Sequence, residues 1–293
     1  MSRFIKVLCA FALASSVPAL ISAEVTGLPF SLPEPVFTEE TAAFPCAYTW
    51  MSAEQVLNQG DTPDNGHCLD TGALFTFFSS ERFSVRGMVR EMFQFRPHPD
   101  SDFKFWGRAL VTDLRLDFSA ALRPLVVSAG YRHDCKHDIN ATRRDVIHDA
   151  LFARLALEEG VPSFLPDSLN AQAGCALEAE LNLPTLFQVS KEEPDRARFC
   201  AEGSFVPFRT VGGLFAVRVD GRFSFINRER QERVAVARSW NADWLLRAGA
   251  ELRAGKGGVR LSCGLERLTD NWAGLEPEPE TRASVVFSLF SGY

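Results

Sequence analysis

Beyond its first two dozen residues, the sequence has no uninterrupted apolar run approaching the ~20 residues that a membrane-spanning helix requires. A helical membrane protein is therefore excluded for the rest of the chain. Positive charge is not in excess. Among 293 residues, 31 Lys and Arg face 37 Asp and Glu, a net of −6, so a nucleic-acid partner is not expected. There is no Cys-x-x-Cys, which leaves no basis for a structural zinc site. The Gly-rich stretch 254–258 lacks phosphate-loop spacing and reads as a turn, and no cofactor is expected. Tyrosine is scarce, 3 residues against 25 Phe, an imbalance that the ordinary totals of 46% hydrophobic and 23% charged residues do not explain.

What is present begins with an export signal. Arg3 and Lys6 form a positive start, residues 7–21 are apolar and uncharged, and Ser22-Ala23 offers a small-residue cleavage site before Glu24. The apolar stretch is short for a membrane span and carries Pro18 near its end, so residues 1–23 read as a cleaved signal peptide rather than an anchor. Lys6-Val7-Leu8 lacks the small residues that a lipidation site at Cys9 would need. The mature chain keeps 29 basic and 37 acidic residues, a net of −8. An exported chain without a membrane helix is either soluble or crosses a membrane as a closed barrel. Six cysteines remain for an oxidising compartment, at 46, 68, 135, 175, 200 and 263. Cys46 and Cys68 flank a segment rich in Gly, Asp and Asn and are the expected disulfide.

Residues 24–70 start with a run rich in Pro and acidic side chains and read as an irregular segment with room for one strand; residues 71–293 read as the main β domain. From about residue 82 the period is two. Leu110, Leu114, Leu116 and Phe118 oppose Asp113, Arg115 and Asp117; Leu177, Ala179, Leu181 and Leu183 oppose Glu178, Glu180 and Asn182. Candidate strands fall near 82–97, 103–118, 124–135, 145–157, 175–187, 195–208, 214–227, 241–254, 258–268 and 282–293, and segments around Tyr48 and 74–78 add two more. Strands this long, with one apolar and one charged face, are the pattern of an antiparallel transmembrane β-barrel, here of 10–12 strands, since strands of soluble sheets are typically ~5–6 residues. The links alternate long and short, with 158–174 out of step, and 228–240 and 269–281 are expected to face outside. The charges of both signs on the inner face are expected to pair, in an interior too narrow for a wide channel. A soluble periplasmic β-sandwich is the alternative, since its strands alternate too.

The last strand sets Ala283, Val285, Phe287, Leu289 and Tyr293 on one face and stops at the aromatic. This resembles the C-terminal signature of bacterial outer-membrane β-barrel proteins, from which Ser291 departs. The resemblance implies residence in the outer membrane of a Gram-negative bacterium, contact with its lipid, and the barrel-assembly machinery as a partner in biogenesis.

Reactive side chains are densest in 130–138, Gly-Tyr-Arg-His-Asp-Cys-Lys-His-Asp. The apolar face of Leu125, Val127, Ala129 and Tyr131 is continued by His133 and Cys135; on the returning strand Leu151, Ala153, Leu155 and Leu157 are continued by Asp149 and Asp145. Ionisable groups facing lipid are expensive and ask for a reason. The hairpin resembles the outer-membrane lipid A deacylases and phospholipase, which place His-x-Ser on one strand and Glu or Asn about a dozen residues later on its neighbour. It departs by having Cys for Ser and Ile147 at the expected spacing. The resemblance implies an acyl hydrolase with Cys135 as nucleophile, His133 as base and Asp149 or Asp145 orienting it. The bland alternative is a structural hairpin at the rim. His133 and His137 are a weak metal pair: their spacing of four is read as sharing a face only on a helix, and further ligands are lacking.

Overall fold

A chain that alternates apolar and charged residues over long strands makes a sheet with two unlike faces. In the computed structural model, which describes residues 35–57, 67–96, 106–138, 146–160, 171–183, 195–231, 236–268 and 280–292, that sheet closes on itself. Its twelve antiparallel strands are β1 (Ala42–Val56), β2 (His67–Ser79), β3 (Phe83–Arg96), β4 (Trp106–Leu122), β5 (Leu125–Asp138), β6 (Val146–Gly160), β7 (Gln172–Leu183), β8 (Asp195–Arg209), β9 (Phe215–Gln231), β10 (Val236–Ala254), β11 (Gly257–Leu268) and β12 (Glu280–Gly292). Each pairs with its sequence neighbours, and β12 returns to β1 between Tyr48↔Gly292 and Val56↔Ser284, so no strand edge is left open. β1 and β2 are the two additional strands, and β1 comes wholly from the segment read as irregular.

Two residues join β4 to β5 and β10 to β11, three join β2 to β3 and five join β8 to β9, all at one end of the barrel. Gly212 and Gly213, with φ of +81° and +71°, let the chain reverse between β8 and β9 where side-chain-bearing residues would be strained. The opposite end has the longer links, apart from β9–β10. There the ladder runs on to Gln231↔Val236, so much of the expected 228–240 loop is strand. The link from β6 to β7 stays out of step, as the sequence indicates. Residues 1–23, Tyr293 and most of 269–281 lie outside the described residues.

The polarity is inverted relative to a soluble protein. Leu177 is 61% exposed while Glu178 beside it is 7% exposed. Phe83, Leu114, Leu116, Phe118 and Phe287 likewise face out, while Arg86, Asp113, Arg115, Asp117, Asp220 and Arg260 are buried. A soluble sandwich would reverse both sets, and it would need two sheets where there is one closed sheet; that alternative is excluded. A closed barrel with an apolar outside and a charged inside has the architecture of outer-membrane β-barrels.

Charged side chains of the lumen are ion-paired with one another. Arg86 makes a two-pronged pair with Asp117, at 2.9 Å on each side. Arg132 bridges Asp113 and Glu180, both at 2.9 Å. Arg115 crosses from β4 to Glu178 on β7 at 2.7 Å with its guanidinium over the Phe152 ring. Arg247 reaches Glu54 on β1 at 3.2 Å. These pairings match the role expected of the luminal charges. Toward the short-turn end, Phe37 packs on Val126, Ala156 and Ala176. The stretch before β1 is held there by Thr38 N–H donating to the Ser80 carbonyl at 3.2 Å and Ser79 Oγ donating to the Val36 carbonyl at 2.7 Å.

The expected Cys46–Cys68 disulfide is not formed. Register forbids it: Cys46 opposes Thr76, while Cys68 opposes Glu54, eight positions along β1. That separation is roughly 27 Å at ~3.4 Å per residue, far beyond the ~4.4–6.8 Å between Cα atoms that a disulfide spans. All six cysteines of the described residues are free thiols, and Cys46 Sγ donates instead to Thr76 Oγ1 at 3.0 Å.

Candidate active site

β5 and β6 form a hairpin whose tip lies at the long-loop end, and their register decides what meets on the outside. Leu125 opposes Leu157 and every later pair follows without a bulge, so Tyr131 faces Leu151, His133 faces Asp149 and Cys135 faces Ile147. On the other flank of β5, Leu116, Leu114, Thr112 and Leu110 oppose Tyr131, His133, Cys135 and His137. Beyond Asp149 lies Leu183. The polar group thus sits in an outward-facing surround of leucines.

Within it, His133 Nδ1 lies 2.8 Å from Asp149 Oδ1, and the Tyr131 hydroxyl donates a short hydrogen bond to the same oxygen. With a carboxylate accepting at Nδ1, the ring proton belongs there and the Nε2 lone pair is presented outward. Among the described residues no group is hydrogen-bonded to that Nε2. The His133 side chain is 29% exposed and Asp149 12%. Two residues nearer the loops, Cys135 Sγ lies 3.2 Å from His137 Nε2, with Cys135 8% exposed. The arrangement is two adjoining pairs, an acid-oriented imidazole and a thiol on an imidazole.

The sequence reading placed His133 and Asp149 together, and the register brings them into direct opposition. It gave Cys135 to His133, whereas the thiol is bonded to His137. Asp145 lies outside the described residues. The helix-only reading of the His133/His137 spacing is corrected: a strand with period two also puts residues four apart on one side. They sit roughly 13 Å apart along the strand at ~3.4 Å per residue, with Cys135 between, and do not converge on a metal. Among the described residues no group of three or more His, Cys, Asp and Glu side chains is placed to hold one. Tyr131, read as an apolar-face residue, is the partner that was missed. The signal was available: Tyr131, His133, Cys135 and His137 occupy alternate positions of one strand.

No family profile matches the sequence, and no curated protein matches it. Solved barrels resemble it in shape. LpxR from Salmonella typhimurium is 8% identical with a TM-score of 0.48, over 83% of this chain and 99% of that one. The outer membrane phospholipase A of Escherichia coli is 8% identical with a TM-score of 0.46, over 83% of this chain and 92% of its own. An outer membrane channel from Pseudomonas putida F1 is 10% identical with a TM-score of 0.49, over 89% and 99%. A phospholipase and a channel are equally similar at this level, so function has to be argued from the site.

Proposed function

We propose that this chain is exported by its signal peptide, inserted into the outer membrane of a Gram-negative bacterium by the barrel-assembly machinery, and hydrolyses acyl esters of the lipids that lie against its outer wall. The observation that carries the reading is the outward-facing pair of hydrogen-bonded couples, His133 with Asp149 and Cys135 with His137, set among leucines. Short turns of such barrels face the periplasm and longer loops the outside, which puts the group at the level of the outer-leaflet headgroups, where lipid esters lie.

The chemistry follows from the contacts. His137 takes the proton of Cys135, and the thiolate attacks the ester carbonyl carbon. The S–C bond forms as the C–O bond to the lipid backbone breaks, and the departing alkoxide takes the proton from the His137 imidazolium. His133, oriented by Asp149, then accepts a proton from water at Nε2 as that water attacks the thioester. The C–S bond breaks as the fatty acid leaves, the sulfur departs as thiolate, and the proton held by His133 is returned through solvent to restore the Cys135 thiol. Tyr131 helps to hold Asp149 in place. Cys135→Ala and His137→Ala should each lower fatty-acid release from outer-membrane lipid vesicles at least ~100-fold, the low end for a positioned acid–base group. Mass spectrometry of the lipids reads this, with the mobility of unboiled and boiled samples showing that the variants are folded. Wild-type barrel that leaves phospholipids and lipid A intact would sink the proposal. The salt-bridged lumen favours a second reading in that case, a closed structural barrel.

A further inference from the structure

Below the polar group the outward surface changes character. Four residues toward the short-turn end from His133 and Asp149, three neighbouring strands carry alanine at one level: Ala129 opposes Ala153, and Ala153 opposes Ala179. Phe199 follows on β8, opposite Ala179, and Ala201 lies opposite Leu177. The small side chains leave a hollow of about 420 Å³ with Ala153, Ala179 and Ala201 as its floor and Leu155, Leu177 and Phe199 among its walls. That volume is within the range of ligand pockets, ~300–1,000 Å³. It opens on the outward face: Leu155, Leu177 and Phe199 in its lining are all exposed, while Arg154, Glu178 and Cys200 between them are buried.

We propose that this hollow seats one acyl chain of the lipid whose ester is cleaved at Cys135, and that its depth sets which chain lengths are accepted. The inference rests on the hydrolase reading above. Three observations choose the occupant. The hollow lies in the hydrocarbon-facing belt, where lipid chains are the surrounding medium and an unfilled gap forfeits dispersion contacts on every wall. It is apolar where Tyr131, His133 and Asp149 are polar, so one amphipathic molecule matches both. The spacing also fits. Six residues of β6 separate Ile147, opposite Cys135, from Ala153, roughly 20 Å along the strand at ~3.4 Å per residue; a strand tilt of ~35–45° turns that into ~14–17 Å of depth, against ~15 Å for half of a ~30 Å hydrocarbon core. A chain whose ester rests at Cys135 therefore reaches the hollow near the midplane.

The test uses the purified full-length barrel in vesicles doped with a phospholipid carrying a photoreactive diazirine near the end of one acyl chain. Cross-links should concentrate on β6, β7 and β8, and Ala153→Leu with Ala179→Leu, which fills the floor, should deplete them. The same double variant should shift relative kcat/KM toward shorter acyl chains by about tenfold, the low end of discrimination per methylene in an apolar pocket; an unboiled gel confirms that it folds. Cross-links spread evenly around the wall, or unmoved by the double variant, overturn the seat. The two readings fail separately. Localised cross-linking without hydrolysis removes the enzyme and keeps the hollow as a lipid site, while hydrolysis with even cross-linking keeps the enzyme and removes the hollow.

Discussion

Polar side chains occupy two water-poor places in this barrel, the lumen and the outward rim of β5–β6, and they are partnered in different ways. In the lumen, carboxylates meet guanidinium groups, with Asp117 held by Arg86, Glu178 by Arg115, and Asp113 and Glu180 by Arg132. Each of these carboxylates meets a fixed cation, on the neighbouring strand for Arg86 with Asp117 and farther round the wall for Arg115 with Glu178. On the rim, Asp149 is held by a phenol and an imidazole, and the thiol of Cys135 by a second imidazole. Full compensation is what a wall needs to keep its shape. A carboxylate shared by a phenol and an imidazole, next to a thiol on a second imidazole, places groups able to pass protons side by side. The lumen charges account for themselves structurally; the rim group does not.

Breaking the lumen should cost stability and spare chemistry. Arg132→Leu leaves Asp113 and Glu180 without their bridging cation, and removing one partner from a buried ion pair costs ~3–5 kcal/mol. The guanidinium unfolding midpoint in detergent should fall accordingly, with hydrolysis per folded molecule unchanged. Breaking the rim should do the reverse. Asp149→Asn removes the charge that orients His133, and lipid hydrolysis should drop on the order of 100-fold while the unfolding free energy changes by only ~1 kcal/mol, since the amide keeps an oxygen that accepts from Tyr131. Equal stability losses from both variants would erase the distinction. A third change sits between the two regions. A Cβ on Gly130 would collide with the Leu116 carbonyl oxygen and meet the Phe152 ring at 2.8 Å, beneath Arg115. Gly130→Ala should cost ~1–3 kcal/mol, as overpacking does, and lower activity only through the folded fraction, which equilibrium unfolding and lipid release measured together would reveal.

Strand positions and inside-out polarity were legible because both rest on a period of two that needs no partner to be seen. β3 to β12 fall where alternation puts them, and the luminal charges face inward as read. β1 was harder. Its start is crowded by Pro45 and its neighbours, a bulge between Ala43 and Cys46 interrupts the register, and Glu54 and Gln55 blur the alternation at its far end. What depends on pairing between strands was only half legible. His133 and Asp149 meet because the β5–β6 register happens to be unbroken, whereas the Cys46–Cys68 disulfide fails because two cysteines that flank one loop in sequence sit eight rungs apart on the ladder. The thiol's partner is hidden by a helical spacing rule and follows from a strand's period of two, which sets Cys135 and His137 on one face of β5.

The closing seam has a consequence for how the chain becomes a barrel. β1 and β12 share nine rungs, the shortest ladder in the wall, while β9 and β10 share seventeen. The first strand made must wait for the last, so closure is the final act of assembly and the clasp is the line where least has to be undone to part the wall. The hairpin and the alanine-floored hollow stand across the cylinder from that clasp. β5 to β8 pair only with their sequence neighbours, so parting the seam would leave the register of the wall that carries the hairpin and the hollow intact.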